Sequence, residues 1–165
     1  MKRLIATVAM LAMAVPVAAQ DARTGVARIY DKALGDGWQN WSWAKTELSV
    51  AVQGSQRTPI RVDAGPYQAL YLHHDAFDTT PYTTVSMLIQ GTGGGGQKVR
   101  VVTIVAGKPL DTQGHVVTLP PAGWTKVDLP LTTIGAAGKQ IDGFWVQNAT
   151  DHPIAPFYVT EIALR

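Results

Sequence analysis

From residue 20 onward, no long stretch of the chain carries apolar residues at helical spacing. Short runs rich in Val, Ile, Thr and aromatic residues follow one another, separated by clusters of Gly, Pro, Asn and Asp. That pattern makes the chain all-β. Strands are predicted over Val26–Tyr30, Thr46–Val52, Pro59–Val62, Ala69–His73, Thr83–Gln90, Lys98–Val105, His115–Leu119, Thr125–Leu129, Gly143–Gln147 and Phe157–Ala163. Short strands at this spacing imply a sandwich or barrel. Only Leu131–Ala137, after Pro130, reads as a helical turn.

Successive side chains of a strand point to opposite faces, so each run splits into a core row and an outer row. Val85, Met87 and Ile89 take the core in one run, Leu70 and Leu72 in another, and Phe144 and Val146 in a third. Tyr71, His73, Gln90, Trp145 and Gln147 are then left on the outer rows, where an ordinary solvated face would carry Lys, Glu and Thr. Aromatic rings together with amides suit a sugar. Its axial C–H face packs on a ring, and its hydroxyls pair with amide and imidazole groups.

The segment "WQNWSW" at 38–43 holds three of the five tryptophans. Trp41 and Trp43 share a face by parity, and Trp38 lies at odd offset from both. Gly35, Asp36 and Gly37 place Trp38 at the exit of a turn, so Trp38 is expected to reach solvent at the rim of the outer face, with Trp41 or Trp43 as packing.

The first residues read as an address. Lys2 and Arg3 precede an apolar run from Leu4 to Val15, and Val17-Ala18-Ala19 supplies small residues for cleavage, so residues 1–19 are expected to be a signal peptide. The run is too short for a membrane span. Residues 20–165 then form one domain, secreted or periplasmic. The chain has 14 Lys and Arg against 12 Asp and Glu, and two of the 14 are Lys2 and Arg3, so the remainder is formally neutral. A neutral surface lacks the basic stripe that phosphates demand, which argues against nucleic acid and anionic membrane as partners. With no cysteine, disulfides, thiolate catalysis and cysteine metal sites are all excluded.

Motifs for chemistry are wanting. "GTGGGGQK" at 91–98 spells a dinucleotide loop, but it reads as linking two strands with no helix terminus on offer, so a hairpin connection is expected. His73 and His74 are adjacent in a strand and project to opposite faces, while His115 and His152 lie far off in sequence. Glycoside hydrolysis needs two facing carboxylates, yet Glu47 and Glu161 are the only glutamates and most aspartates sit at turns. No Gly-x-Ser-x-Gly elbow occurs.

The segments "RIYDKALGDGWQNWSW" (28–43), "ALYLHHDAFDTTPYTTVSMLIQG" (69–91), "WTKVDLPLTTIG" (124–135) and "FYVTEIAL" (157–164) resemble carbohydrate-binding modules of the galactose-binding-domain-like jelly-roll type, often attached to secreted bacterial glycoside hydrolases. The resemblance implies a jelly-roll β-sandwich of two antiparallel sheets, and binding of a polysaccharide or oligosaccharide on a concave face without catalysis. The ligand-binding set expected from the outer rows is Trp38, Tyr71, His73, Gln90, Trp145 and Gln147. Such modules commonly end in a strand reading aromatic-x-apolar-Asp-Asp-apolar, whose first Asp helps hold a structural calcium. Thr160 and Glu161 stand there, leaving Asp31 and Glu161 as the carboxylates for calcium, a cation that wants six to eight oxygens. No other cofactor is expected. Two alternatives remain: a structural or adhesive surface protein, whose aromatics would be buried or in a protein interface, and a small jelly-roll lyase or hydrolase using His73 with Tyr71.

Overall fold

The period-2 rows sort the chain into two antiparallel sheets whose apolar rows face each other. The computed structural model describes residues 25–110 and 114–165. The signal peptide expected over 1–19 lies outside the described residues, as do residues 111–113. In chain order the strands are β1 (Ala27–Tyr30), β2 (Gln39–Asn40), β3 (Lys45–Glu47), β4 (Ile60–Asp63), β5 (Ala69–Asp78), β6 (Thr84–Gly91), β7 (Lys98–Val105), β8 (Lys108–Pro109), β9 (His115–Thr118), β10 (Thr125–Pro130), β11 (Gln140–Asn148) and β12 (Phe157–Leu164).

One sheet runs β10-β6-β12-β4-β3, with β1 also on β12; the other runs β2-β5-β11-β7-β8, with β9 also on β7. Every pairing is antiparallel. β12 and β11 are the central strands. Along β12, β6 takes one edge, while β4 on Phe157–Val159 and β1 on Ile162–Leu164 share the other.

The core lies between the sheets, where Leu70, Leu72, Phe144 and Val146 of one meet Ile60, Val85, Ile89, Phe157 and Leu164 of the other. Each such side chain contributes about 1.5–3 kcal/mol on leaving water. With no disulfide available, this burial is the main source of stability.

Three expected elements differ. Residues 91–98 carry the chain from β6 in one sheet to β7 in the other and so do not close a hairpin. The strand over Thr46–Val52 stops after Glu47, because Ser49 adopts φ +57 and its N–H turns to the Tyr30 hydroxyl at 3.0 Å. Leu131–Ala137 is a succession of turns: the N–H of Thr133 reaches the Pro130 carbonyl and that of Gly135 the Thr132 carbonyl. Among the described residues no helix is long and apolar enough to cross a membrane.

Candidate functional site

The outward faces of the two sheets differ in chemistry. Outside the β6–β12 sheet, side chains are tied into ion pairs. Arg57 Nε donates to Glu161 Oε1 at 2.7 Å while its guanidinium lies 5.7 Å from the Trp124 ring, and Arg61 meets both Glu47 and Asp63. Exposed pairs of this kind contribute little to stability. Both glutamates of the chain are thus engaged with arginines on that side, and Gln90, opposite Tyr158 in β12, belongs to it as well. Gln90 therefore does not join the other expected site residues.

Outside the β5–β11 sheet the face is aromatic. Register sets Trp145 directly opposite Tyr71 on one side and Val102 on the other, and these form a second apolar cluster with Ile104. Tyr71 and Trp145 rings are 6.1 Å apart and nearly perpendicular. Gln147, one layer on, is buried with both ends of its amide engaged: Oε1 accepts from Arg100 Nε and Nε2 donates to the Tyr67 carbonyl, each at 2.6 Å. Gln147 thus anchors the Tyr67 turn.

Over this floor lies the segment after β2. The Trp41 N–H bonds the Tyr71 carbonyl at 2.9 Å and the Ala44 N–H that of Ala69 at 3.1 Å, so residues 41–44 track β5 and lay two indoles across the sheet. Trp41 is 54% exposed and stacks on His73 at 3.7 Å between ring centroids, with planes 3° apart. Its Nε1 donates to Gln39 Oε1 at 2.8 Å. Trp43, 41% exposed, stands edge-on to Trp145 at 4.8 Å. Tyr67, also exposed, is held at φ +54 with the Arg100 guanidinium 5.9 Å from its ring.

The structure reverses the expected roles of the three clustered tryptophans. Trp38 is 8% exposed and belongs to the core, packed against His74 at 5.1 Å and Phe77 at 5.6 Å; Trp41 and Trp43 are the exposed pair. Trp38 is thus no rim residue. Tyr71, His73 and Trp145 do emerge on one face, but as the layer beneath Trp41 and Trp43. Sequence reasoning passed over Trp41, Trp43 and Tyr67 as outermost groups. Alternation gave no signal for the first two, because residues 41–44 lie outside any regular strand.

Two features shape the floor. β5 sets three residues, His74 to Ala76, opposite Asp142 alone, because the register jumps from Phe77↔Ile141 to His73↔Gly143. Gly143 sits at φ +144, where an added Cβ would come 2.2 Å from the Leu72 carbonyl oxygen and 3.0 Å from Tyr71 Cε2. Only glycine fits. Gly143→Ala should cost on the order of 3 kcal/mol in chemical denaturation, against about 1 kcal/mol for Gly96→Ala, which has open space around it at φ +79.

Burial, and then the charge of Asp142, push the Tyr71 phenol up to about 12. Tyr71 therefore stays protonated and able to donate at any physiological pH. Because its folded value exceeds the ordinary one of 10.0, the stabilisation is complete below pH 10 and is lost as pH rises towards 12. An alkaline titration of stability should fall less steeply over that window in Tyr71→Phe than in the wild type.

The two carboxylates expected for calcium lie beside arginines. Asp31 and Glu161 border one cavity of about 330 Å³, but Arg28 and Arg165 line it too, and Glu161 is held by Arg57. A hard cation needs several free carboxylate oxygens. Among the described residues no group of three or more His, Asp or Glu side chains is placed to hold a metal.

No family model matches the chain. An endoglucanase of Dictyostelium discoideum is 22% identical over 142 residues, which are 81% of this chain and 20% of that protein, so the chain spans about a fifth of the relative's length. Solved structures of family 29 carbohydrate-binding modules are similar in fold. A variant of the module CBM29-2 superposes with a TM-score of 0.62 at 12% identity, covering 85% of this chain and 91% of the other. A second variant, complexed with cellulohexaose, gives 0.62 at 14% identity over 84% and 89%. CBM29_1 from Piromyces equi gives 0.57 at 16% identity over 84% and 88%. The chain has the β-sandwich fold of these carbohydrate-binding modules.

Proposed function

We propose that the protein is a non-catalytic carbohydrate-binding module that holds a neutral polysaccharide across the outer face of the β5–β11 sheet, on Trp41, Trp43 and Tyr67. The observation that carries this reading is the pair of exposed indoles set side by side on an otherwise packed aromatic floor. Exposed aromatic area of this size on one open face marks a binding surface. Sugars supply flat C–H faces for such rings, and the formally neutral chain suits an uncharged ligand.

The fold neighbour complexed with cellulohexaose and the endoglucanase relative support a β-linked glucan as first choice. Export through the leader over 1–19, to the periplasm or beyond, fits a ligand found outside the cell. Membership of the galactose-binding-like class, and attachment to or work beside a bacterial glycoside hydrolase, belong to the same proposal.

Calorimetry with cellohexaose and retention on insoluble cellulose and mannan test it. Binding to one of them that is lost in Trp43→Ala is the expected result. Failure of the wild type to bind any of the three, combined with concentration-dependent self-association, would transfer these rings to a protein interface and defeat the proposal.

A further inference from the structure

Four side-chain atoms on the aromatic floor are shielded from solvent yet have no hydrogen-bond partner: the Tyr71 hydroxyl, His73 Nδ1, Trp145 Nε1 and Asp142 Oδ1. Buried polar groups are normally paired, and leaving one unpaired costs its full desolvation. Their clustering is the more telling because Tyr71 and Asp142 are each only 9% exposed. The other oxygen of Asp142 is satisfied, accepting from the Gly107 N–H at 2.6 Å. Gly143, beside Asp142, lies under the Tyr71 ring and opposite His73. The atoms are complementary to one another: Tyr71 and Trp145 offer protons, and Asp142 Oδ1 can only accept.

Above His73 and Tyr71 lies Trp41, flat on the first and edge-on to the second at 6.1 Å between centroids, while Trp145 lies against Trp43. Its indole is held by that stack and by one exposed bond to Gln39. This is a light tether.

We infer that the Tyr71 hydroxyl and Asp142 Oδ1 form a polar subsite beside His73 and Trp41 for one neutral hexose unit, in which a sugar hydroxyl accepts from the Tyr71 O–H and donates to Asp142 Oδ1 once the indole swings off His73. The Trp145 Nε1–H serves a second sugar oxygen. The inference rests on the glycan-binding reading above and adds a selection rule to it. A uronic acid at this position would set a second carboxylate against Asp142, so uronate chains are rejected.

Calorimetry of the mature chain with cellohexaose and with hexagalacturonate tests the inference, together with the variants Asp142→Asn and Tyr71→Phe. Asp142→Asn turns an acceptor into a donor, and Tyr71→Phe removes a single buried oxygen. Each should weaken cellohexaose binding about tenfold, the scale of one lost hydrogen bond. Hexagalacturonate should bind the wild type at least about tenfold more weakly than cellohexaose. The His73 ring protons, shielded by Trp41 in the free protein, should move downfield when cellohexaose binds. Wild-type affinity in Tyr71→Phe, equal binding of the two hexamers, or unmoved His73 protons would each overturn the inference. If these occur while Trp43→Ala still abolishes binding, the carbohydrate-binding reading stands without the subsite; no cellohexaose binding by the wild type brings both down.

Discussion

Removing both exposed indoles, Trp41→Ala with Trp43→Ala, is expected to abolish measurable retention on glucan while leaving the fold intact. Each ring offers a sugar roughly 1.5 kcal/mol of apolar burial and a further 0.5–1.5 kcal/mol of aromatic contact, so losing both should weaken binding about a thousandfold. Stability should change little. The rings are 54% and 41% exposed, and Trp41 gives up mainly its stack on His73 and one bond to Gln39. The single variants should differ. Trp43 stands edge-on to Trp145, and its Nε1 reaches the Tyr67 carbonyl at 3.3 Å, so its ring is held beside Tyr67. Trp43→Ala should therefore cost the larger share. Fluorescence titration with cellohexaose, alongside thermal unfolding of each variant, separates affinity from stability. A double variant that binds as the wild type does would place the glycan on another surface.

Much of the fold can be read from two-residue alternation. Leu70, Leu72, Phe144 and Val146 do face inward and Tyr71 and Trp145 outward, because strands buried on one side must keep their apolar residues on one parity. Sheet membership is another matter. Gln90 shares the chemistry of Gln147, but β6 pairs with β12 and not with β11, which sends it to the far side of the sandwich. Periodicity within a run carries no information on which runs become neighbours. The second layer of the face is equally invisible, since residues 41–44 are held by hydrogen bonds to β5 from outside any regular strand. The extra residues of β5 opposite Asp142 likewise break the alternation that a sequence reading depends on.

Trp38→Ala is expected to cost about 3–5 kcal/mol of stability, with a fall in Tm on the order of 10 °C. The flanking glycines explain why this ring is buried when its place after a turn suggested exposure. Gly35 donates to the Ile29 carbonyl at 2.9 Å, and a Cβ on it would meet the Arg28 carbonyl oxygen at 2.1 Å. Gly37, at φ +75, lies so close to His74 that a Cβ would come 2.5 Å from Nε2. These two glycines let the turn close against β1 and β5 together. The closure carries Trp38 inward to His74 and Phe77 and leaves the next two tryptophans outside. The same turn sets the start of β2, whose Gln39 and Asn40 pair with His73 and Leu72, so it also fixes where Trp41 lies. Trp38→Ala should consequently lower glucan affinity even at temperatures where the protein remains folded, whereas Trp38→Phe, which keeps a ring in the space, should recover most of both. Thermal unfolding and cellohexaose titration of the two variants check this; an alanine variant with unchanged Tm would mean that the ring contributes nothing to the core it occupies.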